Sequence, residues 1–205
     1  MDSLALLGWL AAATGMISGL PQIIRIFTRR TSAGVSIRLW QLNLGAMLAW
    51  MAHGFLVGHP QLQIPNAFLS TCGFLVLLMV ARDRKRALLP LLVLPAVLAS
   101  GLFIIDYTLG ALVFGLVVAA PGVAGMAAQL RTMMRSADLS GVSPGYLGVT
   151  LAVQVLWLAW GIPTVEWALI VCASLLGIAT LVNLAYWGWR QLARQESDDM
   201  VTLAG

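Results

Sequence analysis

Seven apolar runs divide the chain, at about 4–27, 38–57, 62–81, 87–105, 109–130, 146–162 and 165–187, and polar residues gather in short clusters between them. Each run approaches the roughly 20 apolar residues that a helix needs to cross a hydrocarbon layer about 30 Å thick. The pattern predicts an all-α integral membrane protein of seven transmembrane helices. Its predicted connections are short: Thr28 to Ile37, turns near His59-Pro60 and Ile162-Pro163, Arg82 to Arg86, Asp106-Tyr107, and Arg131 to Gly145. Arg190 to Asp199 reads as a solvated, partly disordered polar tail.

Composition strengthens this reading. Of 205 residues, 60% are hydrophobic and 10% charged, whereas soluble domains carry about a quarter charged residues. The N-terminal Met1-Asp2-Ser3-Leu4 has no basic n-region, so the first apolar run is expected to stay in the mature protein. The net charge of +4 is not a nucleic-acid footprint, because the basic residues sit at helix ends. Arg25, Arg29, Arg30 and Arg38 flank the first connection; Arg82, Arg84, Lys85 and Arg86 fill the third; Arg131 and Arg135 mark the fifth; Arg190 and Arg194 lie in the tail. In a seven-helix chain all of them fall on one side. The excess of Lys and Arg in cytoplasmic loops then predicts an outside N-terminus and a cytoplasmic C-terminus in the inner (plasma) membrane.

An internal repeat is visible at an offset of about 107 residues. Ser32-Ala-Gly-Val-Ser36 recurs as Leu139-Ser-Gly-Val-Ser143, and Gly15, Gln22, Trp50 and Gly54 match Gly122, Gln129, Trp157 and Gly161. Helices 1–3 and 5–7 are therefore expected to be two copies of one triplet. Both copies place the Gly-Val-Ser loop on the basic side, so they run parallel. An odd-numbered unit repeated in parallel requires one extra crossing, which helix 4, with Pro90 and Pro95, supplies. The expected organisation is 3+1+3: a first repeat at 1–86, a linker helix at 87–108, a second repeat at 109–189 and a tail at 190–205.

Pro21-Gln22 late in the first helix, the basic turn ending in Gly34-Val35-Ser36, Trp50-Met51-Ala52-His53-Gly54 and Pro65-Asn66 together resemble the SWEET and PQ-loop repeat family, of the seven-helix bacterial type. SWEETs are an established example of parallel repeats. The second repeat keeps Gln129, Gly141-Val142-Ser143 and Trp157-Leu158-Ala159-Trp160-Gly161, but has Ala128 in place of proline and lacks an early Asn in its third helix. The resemblance implies passive movement of a small polar solute, a sugar first, by two three-helix bundles rocking about a central site. Amino acids or other metabolites, or a non-transporting receptor or scaffold, are the alternatives.

Physical reasoning gives each motif residue a role to test. Pro21 removes a backbone donor and crowds the Ile17 carbonyl, so it kinks its helix and can serve as a hinge. Gln22 and the matched Gln129 form a polar pair at that level, and Pro121 stands in for the missing second proline. Trp50 and Trp157 occupy matched places; by resemblance they face a cavity, where an indole stacks on a sugar ring. The competing role is interfacial anchoring, which suits Trp9, Trp167, Trp187 and Trp189. By resemblance Asn66 reads solute hydroxyls; a helix–helix hydrogen bond is its plain alternative, and the stronger one for Asn43, Gln154 and Asn183. His53 is expected to bond locally rather than carry protons.

What is missing also narrows the function. Asp106 and Glu166 are read as lying at the outer helix edges, leaving no carboxylate deep in a span. That favours movement uncoupled from protons. The lone lysine, Lys85, lies in a loop, which rules out a retinal Schiff base. Cys72 and Cys172 sit inside apolar runs and read as small buried residues, not a disulfide or metal site. No nucleophile–base set is apparent, so no enzymatic activity, cofactor or metal is expected. The expected partners are the bilayer and a sugar-like solute, with a homo-oligomer left open and no nucleic acid.

Overall fold

The computed structural model describes the backbone of residues 3–29, 32, 35–136 and 138–204; the side chains of 18–23, 25–27, 29 and 194–204 fall outside the described set. Seven α-helices make up these residues, with no strand among them: α1 (Ser3–Arg29), α2 (Ile37–Val57), α3 (Pro60–Asp83), α4 (Leu88–Leu109), α5 (Ala111–Arg135), α6 (Pro144–Gly161) and α7 (Trp167–Ala204). Four of them, α3, α4, α5 and the Trp167–Ala193 part of α7, are long and apolar enough to cross a membrane. Large apolar side chains such as Ile17, Phe55, Leu89 and Val97 stand exposed. Soluble monomers rarely display so much contiguous apolar surface, and these helices suit a bilayer. The chain is a multi-pass membrane protein.

The chain forms two compact units, Met1–Val118 and Ala119–Gly205, dividing inside α5. In the first unit α2 packs on α3 and α4, and α1 on α3. Its core is an apolar cluster built on Trp40, Leu44, Val76, Leu77 and Val80. In the second unit α6 packs on α7.

The helix boundaries follow from local chemistry. Ser36 and Ser143, the last residues of the two Gly-Val-Ser motifs, are N-caps: their hydroxyls accept from the amides of Leu39 and Tyr146, satisfying donors the first turn leaves unpaired. Pro144 follows at the position where a missing N–H costs nothing. The turns before the caps match as well, Val35 N–H donating to Ser32 O and Val142 N–H to Leu139 O, each at 3.0 Å. Gly58, at φ 71°, closes α2.

The two glycines predicted to match also do the same work. A Cβ on Gly54 would lie 2.8 Å from the Gln63 amide nitrogen and 3.0 Å from Leu62 Cβ; one on Gly161 would meet Leu169 Cδ2 at 3.2 Å. Leu62 and Leu169 are separated by the repeat offset. In both hairpins a small residue lets the following helix approach closely.

Two expectations change. The Asp106-Tyr107 connection does not exist: α4 continues to Leu109 and stops at Gly110, φ 88°. Nothing from Ile105 to Leu109 breaks a helix, and Gly110 does. The polar tail also continues as helix, α7 running to Ala204. Residues 190–196 are strong helix formers without Gly or Pro.

Candidate functional site

Trp50 and His53 are one turn apart on α2 and share a face. His53 is fully buried, at 0% exposure. Its Nδ1 lies 2.8 Å from Asp106 Oδ2, in the last turn of α4, where the carboxylate is also buried. Phe114 of α5 stacks on the imidazole (centroids 5.0 Å, planes 23° apart). Trp50 presents its edge to both rings, at 5.5 Å from His53 and 5.0 Å from Phe114. A buried carboxylate needs a hydrogen-bonded partner to offset its desolvation, and His53 is that partner.

The second unit repeats part of this arrangement. Trp157 packs edge-on against Trp160 with centroids 6.0 Å apart, and Trp160 is buried. Trp160 lies at the repeat offset from His53. In each unit the motif tryptophan, itself half-buried, thus leans on a buried ring three residues later.

The other motif residues lie apart from these rings. Asn66 turns its amide nitrogen back on its own helix, donating to Leu62 O at 2.8 Å. Gln129 is half-buried and Pro121 exposed, both on α5 in the second unit. Pro21 and Gln22 lie within α1, but their side chains are outside the described residues. Asn183 performs the helix–helix role foreseen for it, joining α7 to the Met126 carbonyl of α5 at 3.1 Å. Trp187, assigned to the interface by sequence, has its Nε1 buried without a hydrogen-bond partner. Trp167 and Trp189 are exposed, as an anchoring role requires.

Sequence reasoning missed three features. The first is the burial of Asp106 against His53, hidden by ending helix 4 too early. The second is Gln41, a buried residue whose Nε2 donates to the Leu91 carbonyl at 2.8 Å. Pro95 leaves that carbonyl without its usual helical donor. A glutamine in one apolar run and a proline in another were the available signals. The third is a pair of arginines read only as anchors. Arg84 Nη2 donates to Ser32 O and Val35 O, at 2.7 and 2.8 Å, and Nε to Ser32 Oγ. Asp83 accepts from the Ser32 amide and hydroxyl. Arg190 likewise donates to Met133 O and Ser136 O, each at 3.2 Å. Arg84, just after α3, thus holds backbone carbonyls of the connection after α1, and Arg190, within α7, holds carbonyls at the end of α5 and just beyond it. Among the described residues no His, Cys, Asp and Glu group could hold a metal.

Comparison with known proteins places this arrangement beside a repeat model and a solved fold. Residues 4–63 match the family model for the PQ loop repeat. No curated protein sequence matches the chain. Its fold is similar to the solved structure of a eukaryotic SWEET transporter, at a TM-score of 0.68 and 16% identity, covering 92% of this chain and 95% of the other. The chain thus carries a PQ loop repeat in its first helices and is similar in fold to a SWEET transporter over nearly its whole length.

Proposed function

We propose that this protein is a membrane transporter moving a small polar solute, a sugar first, down its gradient by alternating access. The observation that carries the reading is the PQ loop repeat combined with the SWEET fold. Half-buried Trp50 and Trp157, held edge-on by matched buried rings, support it. We assign Trp50 and Trp157 to stacking on the solute and Asn66 to its hydroxyls, through the amide oxygen. Pro21 and Pro121 are assigned to hinges, with Gln22 and Gln129 as their polar neighbours. The 3+1+3 order, with α4 as linker, is supported by the matched caps, turns, ring pairs and glycine contacts. The clustering of Lys and Arg supports a cytoplasmic C-terminus. Uncoupled movement is the simplest reading of spans whose buried Asp106 is already tied to His53 near a helix end.

Purified protein in liposomes is expected to equilibrate labelled glucose without an imposed proton gradient. Trp157→Ala should slow uptake about tenfold, as loss of roughly 1.4 kcal/mol of aromatic contact would, while the protein still extracts folded. Strict dependence on a gradient would overturn passive movement. Unchanged uptake would remove Trp157 from the site. Saturable binding without flux would return the receptor reading.

A further inference from the structure

We propose that Arg82, Lys85 and Arg86, at the turn between α3 and α4, form a binding site for the phosphate headgroup of an anionic membrane lipid. Both helices are long and apolar enough to cross a bilayer, so the turn that joins them lies at a membrane face, among lipid headgroups. In the orientation proposed above, that face is the cytoplasmic one.

The turn carries charge that its own surroundings do not compensate. From Arg82 to Arg86 it holds four cations and one carboxylate, Asp83, which is the only Asp or Glu between Ser3 and Ile105. Two of these five charges are already committed. Asp83 accepts from the Ser32 amide and hydroxyl, and Arg84 donates to Ser32 and to the Val35 carbonyl. Arg82, Lys85 and Arg86 are exposed, and among the described residues their side chains make no ion pair or hydrogen bond.

The backbone of the turn is fixed in a way that singles out Lys85. α3 closes with two reverse bonds, Arg86 N–H to Ala81 O at 2.8 Å and Lys85 N–H to Arg82 O at 3.3 Å. This pairing ends a helix around one left-handed residue, and that residue is Lys85, at φ 50°. Glycine suits such a position, because a Cβ there crowds the backbone. The end of α2 shows the usual solution, with Gly58 at φ 71°. A lysine in the strained place keeps a cation where folding alone favours none, and strain of this kind gathers where a site needs it.

A lipid phosphodiester is the anion that the position supplies. The forks of Arg82 and Arg86 can each bond two of its oxygens, and Lys85 adds a compact point charge. Asp83 and Arg84 tie the turn to the connection after α1, so the three cations are ordered before a lipid arrives. Bound phosphate relieves the repulsion among them. In the second unit Arg190 is engaged by the Met133 and Ser136 carbonyls, and Arg131 and Arg135 are exposed on the helical surface of α5.

Full-length protein in neutral detergent, titrated with phosphatidylglycerol, should retain the lipid in native mass spectrometry and unfold at a higher midpoint. Phosphatidylcholine with the same chains should do neither. Arg82→Gln/Lys85→Gln/Arg86→Gln should weaken retention about tenfold or more, whereas Arg131→Gln/Arg135→Gln should leave it intact. Equal losses in the two variants would overturn the site and leave only a general attraction of basic residues to anionic lipid. The same rise in midpoint with inorganic phosphate alone would overturn a lipid as the ligand. If the triple variant fails to fold, Lys85→Gly supplies the test, since it relaxes the left-handed backbone while removing one charge. It should unfold at a higher midpoint than the parent chain without lipid, yet gain less from phosphatidylglycerol. An undiminished gain in Lys85→Gly would overturn the proposal.

Discussion

Leu91 carries a carbonyl that its own helix cannot use. Pro95 has no N–H to give it, and the Gln41 side chain reaches from α2 to take the place of that donor at 2.8 Å. In a bilayer, where water cannot satisfy the acceptor, the substitution of one donor for another matters more than the proline kink itself. Gln41→Leu should destabilise the protein by about 1 kcal/mol, read as a lowered unfolding midpoint in detergent. Pro95→Ala restores a helical donor, so the double variant should lose less than the sum of the two single losses. Strict additivity would show that the two residues are not partners. Neither residue announces the other in the sequence, because their meeting is tertiary. The same is true of Phe114, an ordinary apolar position of α5 until the fold lays it on His53.

At the scale of elements, each helix run was legible because apolar stretches of this length have few other solutions in a charged-poor chain. Ends were less legible. The apolar run of α4 stops at Ile105, yet the helix persists to Gly110, and those few residues turn Asp106 from a loop residue into a buried partner. The connections carry more structure than their polarity suggests. Arg84 holds the Ser32 to Val35 turn through several acceptors at once, an arrangement suited to the planar fork of a guanidinium and not to a point charge. Arg84→Ala should make the connection after α1 more open to trypsin, with a several-fold faster cleavage at Arg29 or Arg30. Arg84→Lys should restore little of the protection despite keeping the charge. Equal protection by lysine would return Arg84 to the plain anchoring role that sequence alone gave it.

Across the whole molecule, the number of crossings fixes which loops share a compartment. Among the described residues, four helices meet the length and apolarity of a span. The proposed 3+1+3 order and the one-sided distribution of basic residues both predict that α6 crosses. Cysteines placed at Ser140 and Val165, exposed residues before and after α6, in a chain whose own cysteines are replaced, should react with an impermeant maleimide from opposite faces. Labelling from one face would show that α6 does not traverse the bilayer and would break the parallel-repeat order. The proposal of that order came from paired motifs, and the serines, glycines and tryptophans concerned perform matched local tasks in the two units. The His53–Asp106 pair was not readable in this way, since it exists in one copy only.

The close seat of Gly54 on the start of α3 has a mechanical consequence. With no room for even a methyl group between the two helices, and with the Gly54 carbonyl taking bonds from His59 N–H and Gln63 Nε2, the α2–α3 hairpin has no slack at its tip. It behaves as a single strut. Whatever displacement a working cycle imposes on α2 is carried undiminished into α3, and bending must be sought at joints beyond that tip.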